Sequence, residues 1–180
     1  RAVVLLLVLA AAGFLFRADI LNFFSQLPEL RERASELLLE ELKREISAPP
    51  PLRGPREAPS SFLTRSGVIQ WTNARHLAEN LPPLRENPEL TEAAAAKVQD
   101  MFEKQYFAHV SPSGADAGDL ARNAGYEFIL IGENLALGNF KDDEELVQAW
   151  MDSPGHRANI LNPSYQEIGV DVARGEFEGH

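Results

Sequence analysis

The chain contains no cysteine. That excludes disulfides, thiolate nucleophiles and cysteine-type zinc sites, so a domain working outside the cytoplasm must hold itself together without covalent staples. An excess of basic charge is also missing. The net charge is −10, and residues 70–180 carry 8 Lys and Arg against 19 Asp and Glu. Residues 1–69 are nearly balanced, with 9 against 8. An acidic surface repels phosphate, which argues against nucleic acid as a partner; it suits solubility and cations. There is no internal repeat. None of the serines sits in a Gly-x-Ser-x-Gly turn, so the nucleophile elbow of an α/β-hydrolase is missing too.

No uninterrupted apolar run reaches the roughly 20 residues that span a bilayer. The run at residues 2–16, AVVLLLVLAAAGFLF, falls short of that and is bracketed by Arg1 and Arg17. Residues 1–27 are read as a transmembrane signal-anchor, with a cleaved signal peptide as the alternative and Ala10-Ala11-Ala12 as its cleavage site. A buried soluble helix stays open. Residues 28–47 form an amphipathic helix by pattern, since Leu30, Ala34, Leu37, Leu38, Leu42 and Ile46 share a face. Residues 48–65 are rich in proline and read as an extended, semi-rigid linker. The folded domain is expected over residues 66–180.

Within it, residues 68–81 read as a helix with Trp71, Ala74, Leu77 and Ala78 inward. Asn87 caps a second helix with Pro88 at its first position, and that helix runs through Leu90, Ala93, Ala94, Lys97, Val98, Met101 and Phe102. A short helix near Ala117 ends at Gly125. Residues 128–131 are strand-like or an apolar insertion. Asp142 caps a further helix, with Glu145 placed for a capping box. Residues 165–173 alternate and read as a strand.

The run Ser153-Pro154-Gly155-His156-Arg157-Ala158-Asn159-Ile160-Leu161-Asn162-Pro163 writes one short helix with its start and stop. Ser153 is a candidate N-cap, Pro154 fits the first helical position and Asn162-Pro163 ends it. His156 then sits in the first turn, where the positive end of the helix dipole disfavours an imidazolium and favours a neutral ring. Such a ring can bind a metal or accept a proton. Two other residues stand out. His109 lies just past the end of a helix. Glu133 sits among apolar neighbours in Ile131-Gly132-Glu133-Asn134-Leu135, and a carboxylate there must be paired, hydrogen-bonded or metal-bound. The three are 24 and 23 positions apart, which fits no local metal motif. Each has a structural reading as well: a histidine bonding a carbonyl, a carboxylate capping a helix, a ring closing a helix start.

The ordered set Asn73…Arg75, Leu84…Asn87…Leu90, Ala94…Met101, Phe107-Ala108-His109, Gly125-Tyr126, Gly132-Glu133-Asn134-Leu135-Ala136, Trp150 through Leu161 and Ile168-Gly169-Val170 resembles the CAP superfamily. This is the cysteine-rich secretory protein, antigen 5 and pathogenesis-related 1 group, also called SCP domains; the chain is similar to its bacterial, cysteine-free branch. The resemblance implies an α+β fold, an α-β-α sandwich with a cleft, and a C-terminal strand that is truncated here. It also implies that two histidines and two acidic residues line the cleft. His109, Glu133 and His156 match three of them. Ser153 stands where the fourth acidic residue would be, with Asp152 beside it. Asn134 and Arg157 match positions that orient loops.

Two imidazoles with a carboxylate or water suit a divalent cation such as zinc in an open site. The expectation is therefore a membrane-tethered extracytoplasmic domain, or a secreted one if residues 1–27 are cleaved. It would be a binding module for a divalent cation and for a lipid, small ligand or surface component. A metal-dependent or His/Glu-dependent hydrolase, and a purely structural domain, are the alternatives.

Overall fold

A computed structural model describes residues 48–55 and 61–179. The expected membrane segment at 1–27 and the amphipathic helix at 28–47 lie outside the described residues. Among the described residues no helix is long and apolar enough to cross a membrane.

Among the described residues, five helices and four very short strands make the α+β domain. They are β1 (Leu52–Arg53), α1 (Arg65–Ala78), β2 (Arg85–Glu86), α2 (Pro88–Lys104), α3 (Ala117–Asn123), β3 (Ala136–Leu137), α4 (Asp143–Asp152), α5 (Pro154–Ile160) and β4 (Glu167–Ile168). The helices fall into two packed groups, α1 with α4 and α5, and α2 with α3. Two parallel strand pairs accompany them, β1 with β3 and β2 with β4. The apolar core joins Val68, Phe140, Leu146, Val147, Met151 and Ile160, with Leu52, Trp71, Ala136, Trp150 and Val170 packed against it.

The helix starts follow the sequence. Asn87 Oδ1 accepts from Leu90 N at 2.9 Å, and Pro88 opens α2. Asp116 and Asp119 form a reciprocal capping box on α3, and Gly125 takes the left-handed φ of +86° that a helix C-terminus favours. Asp142 caps α4 through Glu145 N, but the Glu145 carboxylate turns to Lys141 N rather than closing a box on Asp142.

Three local expectations change, and a fourth, at residues 128–131, is decided between its two alternatives. Residues 48–55 do not stand off as linker, because Leu52 and Arg53 pair with Ala136 and Leu137 and are part of the fold. The buried face of α1 is Val68, Thr72 and His76, while Leu77 is 61 % exposed. The reason is His76, whose ring nitrogens lie 2.9 Å from the Pro82 carbonyl and 2.6 Å from the Ile160 carbonyl. Those two bonds hold a polar residue inward, and Leu77 and Ala78 face out while Val68 and Trp71 stay on the core side. Residues 128–131 are an irregular insertion with Ile129 exposed, not a strand. Of residues 165–173 only β4 is extended and paired, since its partner β2 is two residues long.

Residues 169–179 form no strand but are anchored. Phe177 is buried edge-on against Phe102, Gln105 bonds the Glu176 carbonyl and Glu178 N, and Arg174 bonds the Ser61 carbonyl.

Candidate functional site

His109 follows α2 and an unwinding turn in which Gln105 takes a left-handed φ of 51°. Glu133 precedes β3. The fold brings these distant residues together, with His109 Nδ1 2.6 Å from Glu133 Oε2 and both side chains largely buried. The other ring nitrogen, Nε2, lies 2.6 Å from the Pro49 carbonyl oxygen. A carbonyl only accepts, so Nε2 carries a proton. The contact between Nδ1 and the carboxyl then needs a second proton, on the ring or on the acid. The pair is held at both ends.

His156 is buried to 1 % exposure on α5. Ser153 has N-cap backbone geometry, but its side chain makes no capping bond. Its Oγ lies instead 2.9 Å from His156 Nδ1. The hydroxyl expected to close the helix therefore orients the imidazole. His156 Nε2 is one of two buried polar side-chain atoms without a hydrogen-bond partner among the described residues; the other is Arg75 Nε. Burial, and next the nearby charge of His109, push the His156 pKa below the usual imidazole range. In the tautomer whose Nδ1–H donates to Ser153 Oγ, Nε2 presents a bare lone pair.

The supporting residues divide. Asn134 Nδ2 donates to the His156 carbonyl at 3.3 Å, while Asn134 Oδ1 accepts from Asn159 at 2.8 Å. Asn159 in turn accepts from Tyr165 OH, so a chain of amides ties the Glu133 loop to α5. Asp152 is exposed and paired with Gln148 along its own helix. Arg157 is exposed and reaches Glu79 at 3.6 Å. Neither Asp152 nor Arg157 joins the histidines. No group of three His, Asp or Glu side chains among the described residues is arranged to hold a metal ion. The donor set is a His109–Glu133 pair with one neutral imidazole beside it. It fits a two-imidazole site only if Nε2 of His109 leaves Pro49.

Two contributors escape sequence reading. Pro49 lies in a run whose composition signals only a spacer. Lys97 was legible as a residue of α2 but not as part of the site. Its buried ammonium donates to the His109 carbonyl at 2.6 Å and lies over the Tyr106 ring. Burial lowers its pKa, and the charges of Glu133, Asp100 and Asp116 oppose that. Tyr106 OH donates to Asp100 at 2.6 Å, and Ser111 Oγ does so at 2.8 Å. Burial, then the Asp100 bond, raise Tyr106 to about 12, so it keeps its proton. The network pins the loop that carries His109.

Asp100 is depressed to about 2, first by the Lys104 bond and then by Tyr106. A carboxylate lowered on folding stabilises the native state above its unfolded pKa, and that contribution is lost as pH falls through the folded value. Asp100→Asn is expected to lower stability at neutral pH. Urea titrations should show the gap to the parent closing between about pH 4 and pH 2. A gap that stays constant over that range would refute the assignment.

The family described as the cysteine-rich secretory protein family, CAP, matches residues 65–179. The chain belongs to the CAP family. Among relatives of this CAP chain is the uncharacterized protein YkwD of Bacillus subtilis strain 168. It is 44 % identical over 114 residues, which cover 63 % of this chain and 44 % of that protein. The uncharacterized membrane protein YlbC of the same strain is 33 % identical over 107 residues, covering 59 % of this chain and 31 % of YlbC. The matched CAP region thus spans less than half the length of these two relatives. An extracellular SCP-domain protein from Bacillus anthracis superposes with a TM-score of 0.58 at 32 % identity, over 61 % of this chain and 36 % of that one. A cysteine-rich secretory protein from Staphylococcus aureus gives 0.52 at 28 % identity, over 61 % and 34 %.

Proposed function

We propose that this CAP domain is a non-catalytic binding module, tethered to a membrane through residues 1–27 and working outside the cytoplasm. Its ligand is a divalent cation, zinc by donor chemistry, taken up at Nε2 of His156 and Nε2 of His109. The observation that carries the reading is the buried, unpartnered Nε2 of His156 beside a histidine already oriented by a carboxylate. Glu133 holding Nδ1 of His109 is the outer-shell pattern that fixes a metal-binding imidazole, and Ser153 does the same for His156. The membrane and extracellular designations of YlbC and the B. anthracis protein support the location. A further lipid, small-molecule or surface ligand would bind in the same cleft.

The hydrolase reading has less behind it. Ser153 touches His156, but among the described residues no carboxylate sits on the other nitrogen of that ring, as a triad requires. Ser111 donates to Asp100 and makes no bond to an imidazole.

Isothermal titration of zinc into the full chain tests the proposal. One saturable site is expected, lost in the His109→Ala, His156→Ala double variant. Glu133→Gln should weaken it roughly tenfold to a hundredfold, as loss of an outer-shell partner does. Identical isotherms for the parent and the double variant would sink the metal assignment. Turnover on a peptidase, esterase and cell-wall hydrolase panel that vanished in Glu133→Gln would establish the enzyme instead.

A further inference from the structure

Residues 48–55 lie across the elements that carry all three site residues. The Pro49 carbonyl sits on His109 Nε2. The Pro49 ring is buried over Gly155, the residue before His156, where an added Cβ would come within 2.7 Å of Pro49 Cβ. Further along, Leu52 N donates to the Leu135 carbonyl at 3.0 Å and Gly54 N to the Leu137 carbonyl at 2.8 Å. Asn139 N donates back to Pro55 O at 2.7 Å. The segment therefore binds β3 as an added parallel strand, just after Glu133.

The receiving surface is shaped for such a chain. Gly138, at a φ of +152°, brings its Cα hydrogens where a Cβ would stand 2.7 Å from Gly54 Cα, and the Phe140 ring underlies Gly54. The bound stretch carries prolines at 49, 50, 51 and 55. Proline fixes φ and prepays the entropy of an extended chain, and its tertiary amide offers an acceptor without a donor. His109 supplies a donor to that acceptor, Gly155 supplies the space for the ring, and β3 supplies the strand edge. Backbone pairing for affinity and a side-chain pocket for choice are how extended peptides are recognised by strand addition.

The geometry points to a groove for extended, proline-bearing peptides, running from His109 and Gly155 along β3, with residues 48–55 as its resident occupant. A peptide of the same chemistry from another chain binds only by displacing that occupant. The inference rests on the contacts of Pro49 and β1 and not on the proposed cation, which would compete with the proline carbonyl for His109 Nε2.

The probe is a labelled peptide of sequence Ala-Pro-Pro-Pro-Leu-Arg-Gly-Pro, titrated into the full chain by fluorescence anisotropy. Gly54→Val, whose Cβ would overlap the Phe140 ring, pries the resident strand off and leaves the groove intact. The peptide is expected to bind this variant at least about tenfold tighter than the parent, because a resident occupant lowers the competent fraction. Gly155→Val fills the proline position and should abolish binding. A second reading uses the parent chain and so is independent of how the variants fold. With excess peptide, the amides of Leu52 and Gly54 in the 15N-labelled chain should exchange faster. No gain in affinity for Gly54→Val, full binding by Gly155→Val, or unchanged exchange of Leu52 and Gly54 would each overturn the proposal.

Discussion

Gly169→Ala is expected to cost the domain about 4 kcal/mol or more, most of the stability of a typical domain at the low end of the range. Gly169 follows β4 and passes directly over the first turn of α2. A Cβ there would overlap the Leu90 carbonyl carbon and oxygen and the Thr91 nitrogen, all of them backbone atoms. A flexible side chain could swing aside, but this turn cannot, because its backbone is pinned from three sides. Asn87 Oδ1 caps Leu90 N, Thr91 N bonds the Asn87 carbonyl, and Asn87 N bonds the Ile168 carbonyl at 2.9 Å. Relief requires β4 to part from β2 and α2 together. Overpacking of this kind belongs to the few mechanisms that cost about 4 kcal/mol or more, against a total stability of about 5–15 kcal/mol for a domain. Thermal unfolding followed by circular dichroism measures it. A melting temperature within about 3 °C of the parent would show that the backbone can yield.

Lys97→Met should cost about 2–3 kcal/mol and also disturb the site. Methionine keeps the length and apolar stem of the buried lysine, so the cavity stays filled. What is lost is the charged donor to the His109 carbonyl and the cation over Tyr106. Only one partner is removed, so the carbonyl pays its desolvation without return. The charges of Glu133 and Asp100 also lose the cation that offsets them. Denaturant unfolding gives the stability, and the NMR shift of the His109 ring protons gives the second readout. A merely structural Lys97 would move the first and leave the second unchanged. A stability loss below about 0.5 kcal/mol would show that the buried ammonium contributes nothing there.

Helix starts were the most legible part of the sequence, because capping is local. Asn87 and Asp142 declare their helices within three residues, and Gly125 declares an end. Burial was less legible. Hydropathy placed Leu77 inside, whereas the fold buries Thr72 and His76 because two carbonyls from other segments meet the His76 ring. The strands were hardest, since each is two residues long and takes its geometry from a partner 30 or more positions away.

The site divides along the same line. His109, Glu133 and His156 are recognisable one at a time, as polar groups in places that demand a partner. By itself the sequence determined the cysteine-free chemistry, the acidic domain, the well-capped helices and, through its ordered motifs, the family. Only the tertiary structure decided that Glu133 grips His109, that Ser153 turns from the helix end to His156, and that Asp152 and Arg157 stay outside. It also decided that a proline-rich stretch read as a spacer lies on the site. The physical reason is that periodicity and capping act within a few residues. The bonds at His109 instead join positions 24 and 60 apart, which no local rule relates.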